Sequence, residues 1–194
     1  MELKIFEKEQ FYKIYEDMCL QFPLCELKKI ENFEEILKNP YYHLFSIGKE
    51  NQNCGYFIFF DDKITKTLWM DYFAILRQFH SKGLGSKAFQ MLKNYFQDYK
   101  GCYLEVEKPE SAQSVRRVKF YENLEAKKLN INYFYPNTLG GMPMDLYFMP
   151  FNQRQMPTSN EIFHSIKNAF NALHFDIENV DNVYKKIVEN SSFL

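Results

Sequence analysis

Gly83 and Gly85 stand one residue apart where an apolar run gives way to a helical pattern, an arrangement suited to holding a phosphate. Trp69, Met70, Tyr72, Phe73, Ala74 and Ile75 read as a strand, the residues up to Lys82 as a short polar turn, and Leu84 as the start of a helix. Without Cβ atoms the two glycines admit backbone angles closed to other residues and let a ligand approach the main chain. The amides of the helix's first turn have no intrahelical partner and carry the positive end of its dipole, so they can donate to a phosphate or pyrophosphate. The same spacing also fits an ordinary strand-to-helix turn that uses glycine only for geometry. It is neither the Rossmann fingerprint, which needs a third glycine, nor a P-loop, which needs Gly-Lys-Ser/Thr.

Acid–base chemistry has a candidate in Glu105, set between Leu104 and Val106 in a strand-like run. A carboxylate there is costly to bury unless it has a partner or a task. Burial also raises a carboxyl pKa toward the range of a general base at neutral pH. A structural ion pair with Arg116 or Arg117, or a strand end that reaches water, would account for it equally well. Glu107 lies two residues on, on the same strand face, and Asp71 on the strand before the glycines is a further rival.

The elements that must position these groups follow from hydrophobic period. Glu2 to Ile5 alternates as a strand, Lys8 to Leu20 and Ile30 to Leu37 have helical spacing, and Pro23 and Pro40 interrupt them. Three β-rich runs follow, Tyr42 to Ile47, Gly55 to Phe60 and Leu68 to Ile75, most simply an antiparallel meander. The helix opened at Leu84 keeps one apolar face to Tyr99 and stops at Gly101, and Cys102 to Val106 is a strand. Ser114 to Leu124 is a helix, and Ile131 to Tyr135 and Met144 to Met149 are strands joined by a Pro136 to Gly141 loop. Beyond Pro157, Thr158-Ser159-Asn160-Glu161 reads as a capping box opening a helix with Ile162, Ile166, Phe170 and Leu173 on one side; Val180, Val183, Tyr184, Ile187 and Val188 suggest another.

Composition bounds the function. With 194 residues and 46% hydrophobic content the chain can bury a substantial core. A formal net charge of -1 gives no basic surplus for nucleic acid. No leader pattern and no apolar run of membrane-spanning length are present, so a cytoplasmic setting without membrane or nucleic-acid partners is expected. Cys19, Cys25, Cys54 and Cys102 are scattered without metal spacing, so reduced, mostly buried thiols are expected and no metal is required.

Ser81-Lys82-Gly83-Leu84-Gly85-Ser86 after Phe73-Ala74-Ile75 resembles motif A of the GNAT acetyltransferases: Arg or Gln, two residues, Gly, one residue, then Gly or Ala. In that family the main-chain amides of the motif grip the pyrophosphate of acetyl-CoA. The resemblance therefore implies a binding segment made of Phe73, Ala74, Ile75, Ser81, Lys82, Gly83, Leu84, Gly85 and Ser86. His80 stands at the first position, so an arginine that could help neutralise phosphate is missing. Tyr103 to Glu107 followed by Arg117 to Leu124 is similar to the family's Leu-Glu-Val strand and Phe-Tyr-Glu-x-Leu-Gly-Phe helix end. In the ribosomal-protein N-terminal acetyltransferases the Glu is the base and the Tyr the acid, which carried over by position implies Glu105 and Tyr121 as catalytic residues. Here they stand sixteen positions apart (121 − 105), a longer span with an extra loop at Lys108 to Ser111; Glu125-Ala126 replaces Gly-Phe, and Ser114 stands where Asn is common.

The element order over about residues 2 to 150 is similar to the whole GNAT domain. The expected fold is α/β (α+β), a mixed, mostly antiparallel twisted sheet flanked by helices over residues 1–152. A helical C-terminal extension over 157–194 packs on that domain or on a second subunit, which would make a homodimer. The expected activity is direct acetyl transfer from acetyl-CoA to a primary amine of a small molecule. A protein N-terminus or lysine as acceptor, or an acyl-CoA-binding module without turnover, are the alternatives.

Overall fold

Successive residues of a strand face opposite ways, and at Tyr72 and Phe73 this alternation organises the first of two compact units, Met1–Asp61 with Met70–Gln97. The computed structural model describes residues 1–6, 10–152 and 154–191. Strands β1 (Glu2–Ile5), β2 (Tyr42–Lys49), β3 (Gln52–Asp62) and β4 (Thr67–Ile75, in this unit from Met70) lie side by side in chain order. The first two pairings are antiparallel, as the expected meander requires. On one face the Phe73 ring stacks on Phe57 at 4.8 Å and meets Phe89 of α3 (Leu84–Tyr95) at 4.7 Å. On the other, Tyr72 lies 5.6 Å from Phe33 of α2 (Ile30–Ile36), which in turn lies 4.9 Å from Phe11 of α1 (Phe11–Gln21). Each fully buried ring of this kind contributes about 1.5–3 kcal/mol. The helix expected from Lys8 is present from Phe11; Lys8 lies outside the described residues.

The helix expected to reach Tyr99 instead stops at Tyr95. Phe96 leaves the helical angles (φ -105°, ψ 42°) and is buried, its ring 5.5 Å from Phe59 and 6.3 Å from Phe45. Burial of that ring against the sheet outweighs the helical hydrogen bonds that the polar residues after it would have added.

The second unit is Asp62–Trp69 with Asp98–Leu194. Its strands β5 (Gly101–Val106), β6 (Lys127–Lys128) and β9 (Asp145–Pro150) pair antiparallel in the order β5–β9–β6. Each unit by itself carries mostly antiparallel strands accompanied by helices, in keeping with the expected α/β fold class. Helix α4 (Ala112–Glu122) begins two residues earlier than its apolar spacing suggested, because Ser111 and Ser114 form a reciprocal cap. Of the strand expected over Ile131 to Tyr135, only Phe134–Tyr135 pairs, as β7, with β8 (Met142–Pro143). Asn132 uses its backbone N–H and side-chain amide on the end of α6 (Val180–Asn190), donating to Ser191 Oγ at 3.2 Å and to Asn190 O at 2.5 Å.

Thr158 opens α5 (Ser159–Leu173) with the expected capping box, and Ile162, Ile166, Phe170 and Leu173 of α5 are buried, as are Val183 and Ile187 of α6. Lys100 meets Glu161 at 2.5 Å, and Asn168 Nδ2 donates to Asp62 Oδ2 at 2.9 Å. Cys54 and Cys102 are buried, whereas Cys19 and Cys25 are exposed, contrary to the expectation of mostly buried thiols. Leu20 and Leu24 in the same segment are exposed as well, so the chain around Pro23 runs at the surface.

Candidate functional site

In the first unit, β4 ends at Ile75 and a single 3-10 turn, Arg77–Phe79, leads to α3. The turn is shaped by side chains that reach back to the main chain. His80 Nε2 lies 2.6 Å from Ile75 O, Gln21 Nε2 donates to the same carbonyl at 3.3 Å, and Lys82 Nζ donates to Gln78 O at 3.1 Å. Asp17 accepts from Gln21 at 2.7 Å and from the Tyr56 hydroxyl at 3.0 Å, which fixes the amide that meets Ile75. His80, the departure at the first motif position, is thus a clamp on the strand end.

Gly83 is the N-cap of α3 in the left-handed region (φ 67°, ψ 14°), a conformation that L side chains adopt at a cost. Ser81 is left-handed as well (φ 61°). A Cβ built on Gly83 would meet nothing within 4 Å, so the space over this turn is open. No side chain caps the helix, and its first turn carries no acidic residue. The amides of Leu84, Gly85 and Ser86 are therefore donors without the usual side-chain acceptor, next to the positive end of the helix dipole. Gly85 lies inside α3, so what it contributes is the missing side chain and not an unusual backbone angle. Ser81, Lys82 and Ser86 are exposed, Leu84 is buried, and Phe73, Ala74 and Ile75 form the strand end behind the turn.

Asp71, the rival base on β4, is engaged elsewhere in this unit. Its Oδ1 meets Lys28 Nζ at 2.5 Å and its Oδ2 accepts from the Tyr42 hydroxyl at 2.6 Å. Lys28 also lies 5.2 Å from the Tyr72 ring, and its backbone N–H donates to the Tyr72 hydroxyl at 3.1 Å. The network ties the segment between α1 and α2 to β4.

In the second unit, Glu105 lies on β5 opposite Leu146 of β9 and is half-buried. Arg117 pairs with Glu107 at 2.9 Å, and Glu105 Oε1 accepts a hydrogen bond from the Tyr133 hydroxyl. Tyr121, on the last turn of α4, is 9% exposed. Burial pushes its phenol up to about 12, against a smaller opposite pull from the Arg117 guanidinium. A phenol in that state keeps its proton throughout the neutral range, as a general acid must. The sequence reading missed Tyr133 as Glu105's partner and Lys28 and Tyr42 as Asp71's. They stand 28, 43 and 29 positions away, so no local spacing could have announced them.

Among the described residues no group of three or more His, Cys, Asp or Glu could hold a metal ion, and no helix is long and apolar enough to cross a membrane. Compared with known proteins, residues 8–124 match the profile of the family described as acetyltransferase (GNAT). No curated protein matches the sequence. Among solved structures, a protein from Bacteroides thetaiotaomicron assigned to the GNAT family is similar with a TM-score of 0.74 at 18% identity, over 92% of this chain and 100% of that one. The ribosomal-protein-S18-alanine N-acetyltransferase from Escherichia coli gives 0.59 at 16% identity, over 82% and 97%. An aminoglycoside 6'-N-acetyltransferase complexed with coenzyme A gives 0.56 at 14% identity, over 76% and 95%. At these identities the likeness is one of fold.

Proposed function

The chain belongs to the acetyltransferase (GNAT) family, and from that premise we propose that it transfers the acetyl group of acetyl-CoA to a primary amine of a small molecule by direct attack. The observation that carries the reading is the turn at Gly83: a left-handed cap opening a helix with uncapped amides and no acidic side chain in its first turn. Such a turn suits the pyrophosphate of the donor. On this reading residues 81 to 86 hold that group, with Phe73, Ala74 and Ile75 alongside the rest of the coenzyme.

The chemistry asked of the protein is positioning and proton management. The amine nitrogen attacks the thioester carbonyl carbon and the carbon–sulfur bond breaks. An ammonium that becomes an amide loses two protons; Glu105, directly or through water, takes one, and the other ends on the coenzyme sulfur by way of Tyr121. A thiol is more acidic than a phenol, so Tyr121 acts by hydrogen-bonding the sulfur as charge develops there and not by a downhill transfer. Glu105 suits the base role better than its rivals, because Asp71 is locked to Lys28 and Glu107 to Arg117. A small acceptor is favoured by the surroundings of Glu105, which is half-buried and accepts from a buried tyrosine on a segment tied to the end of α6. The aminoglycoside enzyme with a similar fold acts on a small amine, and the Escherichia coli one on a ribosomal protein.

Release of free coenzyme A from acetyl-CoA, followed with spermidine, an amino sugar, free lysine and peptides as acceptors, tests the proposal. Turnover is expected with a small amine and not with peptides. Turnover confined to peptides would move the reading to a protein acetyltransferase, and donor binding without turnover on any amine would favour a binding module. Tyr121→Phe removes one oxygen and keeps the packing, so it should lower turnover about ten- to a thousandfold with little change in acetyl-CoA affinity. Full turnover by that variant would remove the acid assignment.

A further inference from the structure

Tyr133 is 2% exposed, and its position is fixed from several sides. Its ring lies 6.3 Å from Trp69 and 6.2 Å from Phe170 of α5. Its carbonyl accepts from Met144 N at 3.2 Å, and Asn132 beside it is bound to the last residues of α6 and to Ser191. From this anchored ring the hydroxyl donates to Glu105 Oε1.

We propose that Tyr133 is a positioning residue for Glu105, held in place by the C-terminal helices, and that it presents the carboxylate to the acceptor amine ionised and in one orientation. The proposal rests on the reading of Glu105 as base. A glutamate carboxylate can turn about its last torsion, and a hydrogen bond to one oxygen from a fixed donor fixes the direction of the other. A donor to the charged form also stabilises that form. Because the phenol is neutral, it does so without cancelling the charge, as an arginine partner would. Two neighbouring acids have partners of their own: Glu107 of β5 meets Arg117 of α4 at 2.9 Å, and Asp145 of β9 meets Lys128 of β6 at 2.8 Å. Tyr103, two residues back on the same strand face, is buried, and burial pushes its phenol up, so it is uncharged in the neutral range. Loss of the Tyr133 hydroxyl therefore removes a donor from Glu105 Oε1 without removing a charge. Under this arrangement α5 and α6 serve catalysis as well as stability.

The test is a carbon-13 titration of the full chain with labelled glutamate carboxyls, in which Glu105→Gln identifies the Glu105 signal. In Tyr133→Phe, which keeps the ring, the Glu105 midpoint should move upward by about tenfold in proton affinity, while Glu107 stays where it is. With the amine selected by the acceptor panel, Tyr133→Phe should lower kcat about ten- to a hundredfold and leave the acetyl-CoA Kd unchanged. In a Glu105→Gln background it should have little further effect. An unmoved Glu105 midpoint, or equal rate losses in both backgrounds, would overturn the positioning role. Full turnover by Glu105→Gln with a shifted midpoint in Tyr133→Phe is a separate outcome: it removes the base from the proposed mechanism, and with it the catalytic meaning of the tyrosine.

Discussion

Replacing Asp71 with Asn takes one charge from an ion pair 2.5 Å long whose side chains are 5% exposed for Lys28 and 2% for Asp71. The Lys28 ammonium then stays buried beside a neutral amide, and breaking a buried pair in this way costs about 3–5 kcal/mol. Asn can still accept from the Tyr42 hydroxyl, now 2.6 Å from Asp71 Oδ2, which places the loss toward the lower end of that range. Against a total stability of about 5–15 kcal/mol this is a large share. At roughly 2–4 °C per kcal/mol for a chain of this size, the Tm should fall by about 6–20 °C. Denaturant unfolding should give a lower midpoint with an unchanged slope, since the buried surface is the same. Lys28→Met combined with Asp71→Leu should recover much of the loss, because an apolar pair of similar volume carries no desolvation penalty. At a temperature where Asp71→Asn is fully folded, its pH–rate profile should keep the acidic limb. An unchanged Tm together with loss of that limb would refute the structural role and make Asp71 the base in place of Glu105.

Gly85→Val, which places a branched side chain in the first turn of α3, should weaken acetyl-CoA binding in calorimetry, whereas His80→Ala, which removes a single hydrogen bond to Ile75 O, should weaken it much less; unchanged affinity in a folded Gly85 variant would detach this turn from the donor site. Deleting residues 157–194 removes α5 and α6 with the surface that their buried Ile166, Phe170, Leu173 and Ile187 cover, so the truncated chain should lose thermal stability and solubility, and an unaltered Tm and oligomeric state would refute a packed extension. Lys100, with the Thr158 backbone and hydroxyl, holds the Glu161 carboxyl down to about 2 from its ordinary 4.5. A depressed carboxyl adds stability above its unfolded pKa and loses it as pH falls from about 4.5 to about 2, so the stability advantage over Glu161→Gln should shrink across that window in denaturant titrations; for so exposed a pair it should not exceed about 1 kcal/mol.

Signals that are local in the chain carried most of the fold. The strand before Gly83, the helix after it and the Thr158 capping box each depend on residues within a few positions of one another, and each stands where periodicity and cap chemistry put it. The reading failed where a distant contact decided a local conformation. Phe96 leaves α3 for the rings of Phe45 and Phe59, and Asn132 gives its donors to α6 instead of to a strand partner. The chemistry divides in the same way. Glu105 stood out because a carboxylate between Leu104 and Val106 is anomalous on its own. Of the two arginines the sequence offered as alternatives for it, Arg117 meets Glu107, on the common strand face. A group that does hold it is Tyr133, one tyrosine in a chain with 14 of them, singled out by the packing of α5 and α6 around its segment. A charged residue in an apolar run can thus be recognised from its neighbours in sequence. What sets its orientation and ionisation comes from elements brought to it by folding, and for Glu105 those elements lie in the part of the chain beyond the matched family region, which ends at residue 124.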